Sequence, residues 1–132
     1  MIYCITTKML KKFSTKELVF IALLSALVFV VSLILNTLGP AGSITGIISY
    51  GVNIIFWGLI LMILIKTVPK FGTLTLFTLI YGILELPTPL GGAPGFLPKI
   101  PINVLSGLLA DIFLLSTSYK TWSIFVGAYI VG

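Results

Sequence analysis

The stretch from Leu18 to Leu35, LVFIALLSALVFVVSLIL, runs for eighteen residues without a charge. At about 1.5 Å of rise per residue, a helix of that length approaches the roughly 30 Å hydrocarbon thickness of a bilayer. The run reads as a transmembrane helix. Ser14, Thr15 and Glu17 ahead of it form a helix-start signal, and Gly39-Pro40 behind it a stop. A secretory signal peptide would share the preceding lysines, but its apolar region is shorter than this one. Further apolar runs also follow here.

Outward from that segment, Gly46 to Ile65 (GIISYGVNIIFWGLILMILI) is a second uncharged run, closed by Lys66 and then Pro69-Lys70. Phe71 to Leu84 is a shorter third, ending on Glu85 and Pro87, and Pro101 to Ser116 is a fourth that contains Asp111. Thr121 to Gly132 begins a fifth, whose twelve residues give about 18 Å of helix, too little to cross a bilayer. The expected fold class is therefore an all-α integral membrane protein, a polytopic transmembrane helix bundle with about five spans visible. Residues 1–16 read as an N-terminal segment and 17–132 as the bundle, C-terminally truncated. Met1 and Met9 both stand as candidate starts.

Composition agrees with this reading. Of 132 residues, 58% are hydrophobic and 8% charged, with mean hydropathy +1.23, where soluble domains carry about 25% charged residues. A soluble globular domain is excluded, and so is a disordered chain, which needs low hydrophobicity. The chain has no histidine, no arginine and a single cysteine, Cys4. Histidine-dependent zinc sites and triads, intrachain disulfides and Cys-x-x-Cys sites cannot be built from it. No Gly-rich phosphate loop ending in Lys-Ser/Thr is present. Neither an enzyme nor a metal or other cofactor is expected.

The lysines set an expected orientation. Lys8, Lys11, Lys12 and Lys16 precede the first run, Lys66 and Lys70 separate the second from the third, and Lys120 follows the fourth. By the positive-inside rule this side is cytoplasmic, which gives a multi-pass protein of the cell membrane with a cytoplasmic N terminus. Because the lysines flank apolar runs and form no basic face, the expected surroundings are lipid and not nucleic acid. The connections at 36–45 and 85–100 then face outward. The second of these, ELPTPLGGAPGFLPKI, is long and rich in proline and glycine. Its apolar Leu90, Phe96 and Leu97 suggest a cap packed over the bundle.

Polar residues recur at helical spacing. Ser25, Ser32 and Asn36 share a face of the first span, and Ser49, Asn53 and Trp57 a face of the second, with Tyr50 alongside. Tyr81 and Glu85 continue the pattern on the third, Asn103 and Asp111 on the fourth, and Lys99 lies just before it. Lipid offers such groups no partners, so the stripes should turn inward. Two readings are open. Ser49, Tyr50, Asn53, Trp57, Tyr81, Glu85, Lys99 and Asn103 line an outward-facing pocket for a small-molecule substrate, or the stripes only bond helix to helix. Asp111 is placed near mid-membrane, where an aspartate costs roughly 2.5 to 3.5 kcal/mol to insert. It is either a proton or cation site or a hydrogen-bonded structural residue. Ala22 and Ala26, one turn apart, form a small-xxx-small pattern that admits a close helix neighbour.

The opening Phe13-Ser-Thr-Lys-Glu-Leu-Val-Phe-Ile-Ala-Leu-Leu-Ser-Ala, with Ala22-x-x-x-Ala26, resembles the start of substrate-binding S components of energy-coupling factor (ECF) transporters. The likeness extends to the Pro/Gly-rich outer loop and the Gly107-Leu-Leu-Ala-Asp111 stretch. It implies a six-helix S-component fold, capture of a vitamin or related micronutrient, and uptake with a separate T component and two ATPase subunits. Ala22 and Ala26 occupy the positions by which that family docks on the T component. The competing class is an ion-coupled secondary transporter, or a fragment of one, using Glu85 and Asp111. A membrane assembly subunit whose small residues only pack is a third.

Overall fold

In a computed structural model the chain is described over residues 12–38, 43–90 and 93–117, together with Ser123 and Val126, and no strand occurs among them. Four helices account for most of this chain: α1 (Thr15–Thr37), α2 (Ile44–Thr67), α3 (Thr73–Glu85) and α4 (Lys99–Ser116). Their boundaries follow from local chemistry. At the start of α1 the Ser14 backbone N–H donates to Glu17 Oε2 at 2.7 Å, and at the start of α2 the Gly46 N–H donates to Ser43 Oγ at 3.0 Å. α2 stops at Thr67 because Val68 precedes Pro69, whose ring pushes its neighbour out of the helical region. Gly72 turns the chain with φ +90°, a left-handed value that costs glycine nothing. α4 begins at Lys99, two residues before the expected Pro101. That proline is tolerated because amides of the first turn have no intrahelical acceptor in any case.

α1, α2 and α4, of 23, 24 and 18 residues, are long and apolar enough to cross a membrane. α3 is not. Its 13 residues give about 20 Å, so the third expected span, Phe71 to Leu84, is a short apolar helix cut by Gly72 at one end and Leu86-Pro87 at the other. The expected fifth span lies outside the described residues, apart from Ser123 and Val126.

Successive helices run antiparallel. α3 packs most extensively on α4 and next on α1, α1 also packs on α2, and α2 touches α3 only lightly. Ile21, Val28, Leu61, Leu64, Leu74, Phe77, Ala110 and Leu114 form the core. The outward faces carry exposed apolar side chains such as Leu23, Ile55 and Leu109. Since lipid is as apolar as leucine, helix pairs in a bilayer depend on close fit. Gly107 supplies it between α4 and α3: a Cβ there would collide with Thr78 Oγ1 and lie 2.8 Å from the Leu74 carbonyl oxygen. A Cβ at Gly82 would likewise lie 3.2 Å from Asn103 Nδ2.

One end of the bundle is tied by Lys70. Its Nζ pairs with Glu17 Oε2 at 2.5 Å, donates to the Lys12 carbonyl at 3.1 Å and stands 5.6 Å from the centre of the Phe13 ring. At the opposite end the loop after α3 is closed by the Gly95 N–H donating to the Leu86 carbonyl at 2.8 Å. Its described residues Ala93–Pro98 are exposed, Leu97 at 68%, so they do not form the expected packed cap. Local turns, such as Phe96 N–H to Ala93 carbonyl, hold this backbone and aim the apolar side chains outward.

Candidate functional site

The polar stripes converge near the Glu85 end of the bundle, and Ser32 is where they meet. Ser32 lies on the buried face of α1, and its hydroxyl donates to Asn53 Oδ1 of α2 at 3.0 Å. It accepts at 3.2 Å from Nε1 of Trp57, whose ring packs on Tyr81 of α3. Asn36, one turn further on, donates from Nδ2 to the Ser32 carbonyl at 2.8 Å. A hydroxyl offers one donor and two acceptor positions, and Asn53 and Trp57 use one of each kind at Ser32 Oγ.

Aromatic rings fill the space around this hub. Trp57 meets the Tyr81 ring edge-on at 4.8 Å between centroids and the Phe77 ring at 5.7 Å, and Phe29 approaches Tyr81 at 6.3 Å. These are the edge-to-face arrangements that ring quadrupoles favour.

Tyr81 leads to the charged part of the site. Glu85 follows it by one helical turn on the same face of α3 and is 7% exposed. Glu85 Oε2 accepts from Asn103 Nδ2 of α4 at 3.0 Å. Lys99, 3% exposed, donates from Nζ to the Thr88 carbonyl at 2.8 Å and to the Glu85 carbonyl at 3.5 Å. Carboxylate and ammonium are thus buried close together, each bonded to neutral groups.

The structure therefore gathers Asn53, Trp57, Tyr81, Glu85, Asn103 and Lys99 into two hydrogen-bonded groups, one about Ser32 and one about Glu85, with the Tyr81 ring between them. It does not bring in the other two residues of the expected pocket. Ser49 lies one turn along α2 from Asn53 and is half-buried, and Tyr50 is 65% exposed on the outer surface of α2. Ser32 was not among the expected lining residues. Its signal was the Ser25, Ser32, Asn36 stripe, which marks a face but not a hub. Ala22 and Ala26 are half-buried and flank the buried stripe of Ile21, Ser25, Val28 and Ser32.

Asp111 lies elsewhere. It is 1% exposed and faces the first turn of α3. Asp111 Oδ2 accepts from the Thr75 backbone N–H at 2.9 Å and the Thr75 hydroxyl at 2.7 Å, and Oδ1 accepts from the Leu74 N–H at 3.4 Å. Among the described residues, no three His, Cys, Asp or Glu side chains gather as metal ligands.

What the arrangement offers is recognition: an amide, hydroxyls, aromatic rings and two opposite charges within an apolar bundle, the mixture found in small-ligand sites. A family model described as hypothetical bacterial integral membrane protein (Trep_Strep) matches residues 15–132, from the first residue of α1 onward. The chain belongs to the Trep_Strep family. Neither a curated protein nor a solved structure matches it. Trep_Strep membership and three long apolar helices together make this an all-α integral membrane protein.

Proposed function

We propose that this Trep_Strep protein is a membrane-embedded substrate-capture subunit that takes up a vitamin or related micronutrient. In this reading it works as the S component of an ECF-type transporter, with a separate T component and two ATPase subunits. The N terminus and the Lys70 end face the cytoplasm, as the lysine distribution favours, and the Glu85 end faces outward. Asn53, Trp57, Tyr81, Glu85 and Asn103 contact the substrate, and the face bearing Ala22 and Ala26 docks on the T component. The observation that carries the reading is the pair of polar groups inside the bundle, Asn53 with Ser32 and Glu85 with Asn103, on either side of the buried Tyr81. Polar groups at such depth are costly unless they are used.

The competing reading is ion-coupled transport by Glu85 and Asp111. The capture reading is favoured because the two carboxylates stand at opposite ends of α3 and both Asp111 oxygens are held by α3 donors. The test is to purify the full-length protein, identify the small molecule that accompanies it by mass spectrometry, and measure its affinity by calorimetry. Loss of a hydrogen bond to a charged group costs about 1.5–3 kcal/mol, so Glu85→Ala should weaken binding by roughly ten- to hundredfold, with a smaller loss for Asn53→Ala. Unchanged affinity in both variants would remove this site. Uptake that collapses with an ionophore but not with ATP depletion would favour the competing reading.

A further inference from the structure

A helix leaves its first backbone N–H groups and its last carbonyls without internal partners, and a hydrocarbon core supplies no water for them. α3 faces this problem acutely, because its 13 residues span only about 20 Å. Its own caps answer part of this: Gly72, at the N-cap, has no side chain and stands in the left-handed region, while at the other end the Glu85 carbonyl accepts from the Thr88 N–H at 3.0 Å and the Thr88 hydroxyl at 2.9 Å. α4 reaches both ends as well. Asp111 accepts from the Leu74 and Thr75 amides at the start of α3, and Lys99 donates to the Glu85 and Thr88 carbonyls at and just beyond its end.

The signs and the spacing both fit. A helix carries partial positive charge at its N terminus and partial negative charge at its C terminus, and here the carboxylate meets the former and the ammonium the latter. Lys99 and Asp111 are twelve residues apart on α4, about 18 Å, and the α3 residues they meet, Leu74 and Thr75 at one end and Glu85 at the other, are eleven and ten apart, about 15–17 Å. Gly107, lying between the two clamp residues, brings the backbones close enough for the short aspartate side chain to reach across.

We infer that Lys99 and Asp111 form a two-ended clamp, matched to the dipole and length of α3, that positions Tyr81 and Glu85 in the polar site. Asp111 is then a positioning residue that acts on the site from the far end of α3. The consequence for substrate binding rests on the capture role proposed above, whereas the clamp does not.

Trp57 reports the position of α3 directly, since it contacts Phe77 and Tyr81. The experiment uses the full-length protein in lipid nanodiscs, with Trp122→Phe removing the other tryptophan of this sequence and no ligand added. Trp57 emission and thermal melting are followed together. Asp111→Leu and Lys99→Met should each lower the melting temperature and shift Trp57 emission. Asp111→Asn, which keeps a carbonyl acceptor, should recover part of both signals. If Asp111→Leu yields no folded protein, Asp111→Asn and Thr75→Val decide the matter. They share one contact, so their combined effect should be smaller than the sum, and full additivity would overturn the clamp. Lower melting with unchanged Trp57 emission would reduce Asp111 to local stabilisation and overturn its positioning role. Wild-type melting and emission in both Asp111→Leu and Asp111→Asn would also overturn it, and would return this aspartate to ion coupling. Because no ligand is used, failure of the capture reading leaves these outcomes intact.

Discussion

Gly107→Ala adds one methyl group where the α3–α4 contact is closest. That carbon would collide with Thr78 Oγ1 and stand 2.8 Å from the Leu74 carbonyl oxygen and 3.0 Å from Thr75 Cα. Thr78 can rotate, but the other two obstacles are backbone, so the helices must separate. Overpacking of this kind costs about 1–3 kcal/mol, while alanine returns up to about 1 kcal/mol of helix propensity relative to glycine. The separation also stretches the Asp111 contact to Thr75, one turn further along α4. The expected net loss is about 1–2 kcal/mol, a roughly five- to thirtyfold fall in the folded-to-unfolded ratio. Gly58→Ala is the control, because a Cβ at Gly58 would meet nothing within 4 Å and only the propensity gain remains. Reversible unfolding in mixed micelles with increasing SDS measures both variants against the parent. Equal stability of Gly107→Ala and Gly58→Ala would refute the close-packing account of the α3–α4 pair.

Orientation is tested by single-cysteine labelling in a Cys4→Ser background. A membrane-impermeant maleimide applied from outside should modify Ala93→Cys and spare Lys70→Cys, and the opposite pattern would invert the topology. Ala22→Leu or Ala26→Leu should abolish uptake by the assembled transporter while leaving substrate binding by the isolated subunit largely intact. Normal uptake in both would reject the docking role, and joint loss of melting temperature and binding would show instead that the alanines pack within the bundle.

How much of this was legible beforehand depends on the kind of signal. The long spans were, because an uncharged run of the right length has few alternatives in water. α1 and α2 end within a few residues of their apolar runs, and the Ser14–Glu17 signal marks a real helix start. α3 was over-read because hydropathy does not register where a helix stops: Phe71 and Gly72 are compatible with a span but belong to the turn. Helical spacing put Asn53 with Trp57 and Asn103 with Asp111 on common faces, yet it carries no information about register between helices. That register separates Asn103, which meets Glu85, from Asp111, which meets Thr75. Ser32 was read on an inward face but not as a pocket residue for a related reason, since a serine in a span more often bonds its own helix. The loop failed differently. Its apolar side chains were expected to seek cover, and Leu90 is half-buried, but Phe96 and Leu97 are exposed at 48% and 68%.

The chain's three acidic residues now divide into two kinds. Glu17 is held at the partly exposed end of the bundle by Lys70 and by the Ser14 amide, and serves the start of α1. Asp111 is held by three donors from α3, and serves the start of that helix. Each is accounted for by the backbone amides it satisfies, because a helix N-terminus needs acceptors and the local field favours a negative group there. Glu85 has neither advantage. It is the last residue of α3, where the helix dipole disfavours a carboxylate, and among the described residues its carboxylate hydrogen-bonds to the Asn103 amide alone. The ammonium of Lys99 lies near but is engaged with backbone carbonyls. A buried carboxylate so thinly supported would be replaced at a gain in stability by glutamine, which keeps a carbonyl acceptor for Asn103 without the charge. The fold therefore gives a reason for Glu17 and Asp111 and none for Glu85, and this asymmetry supports the proposed role of Glu85 in binding a ligand.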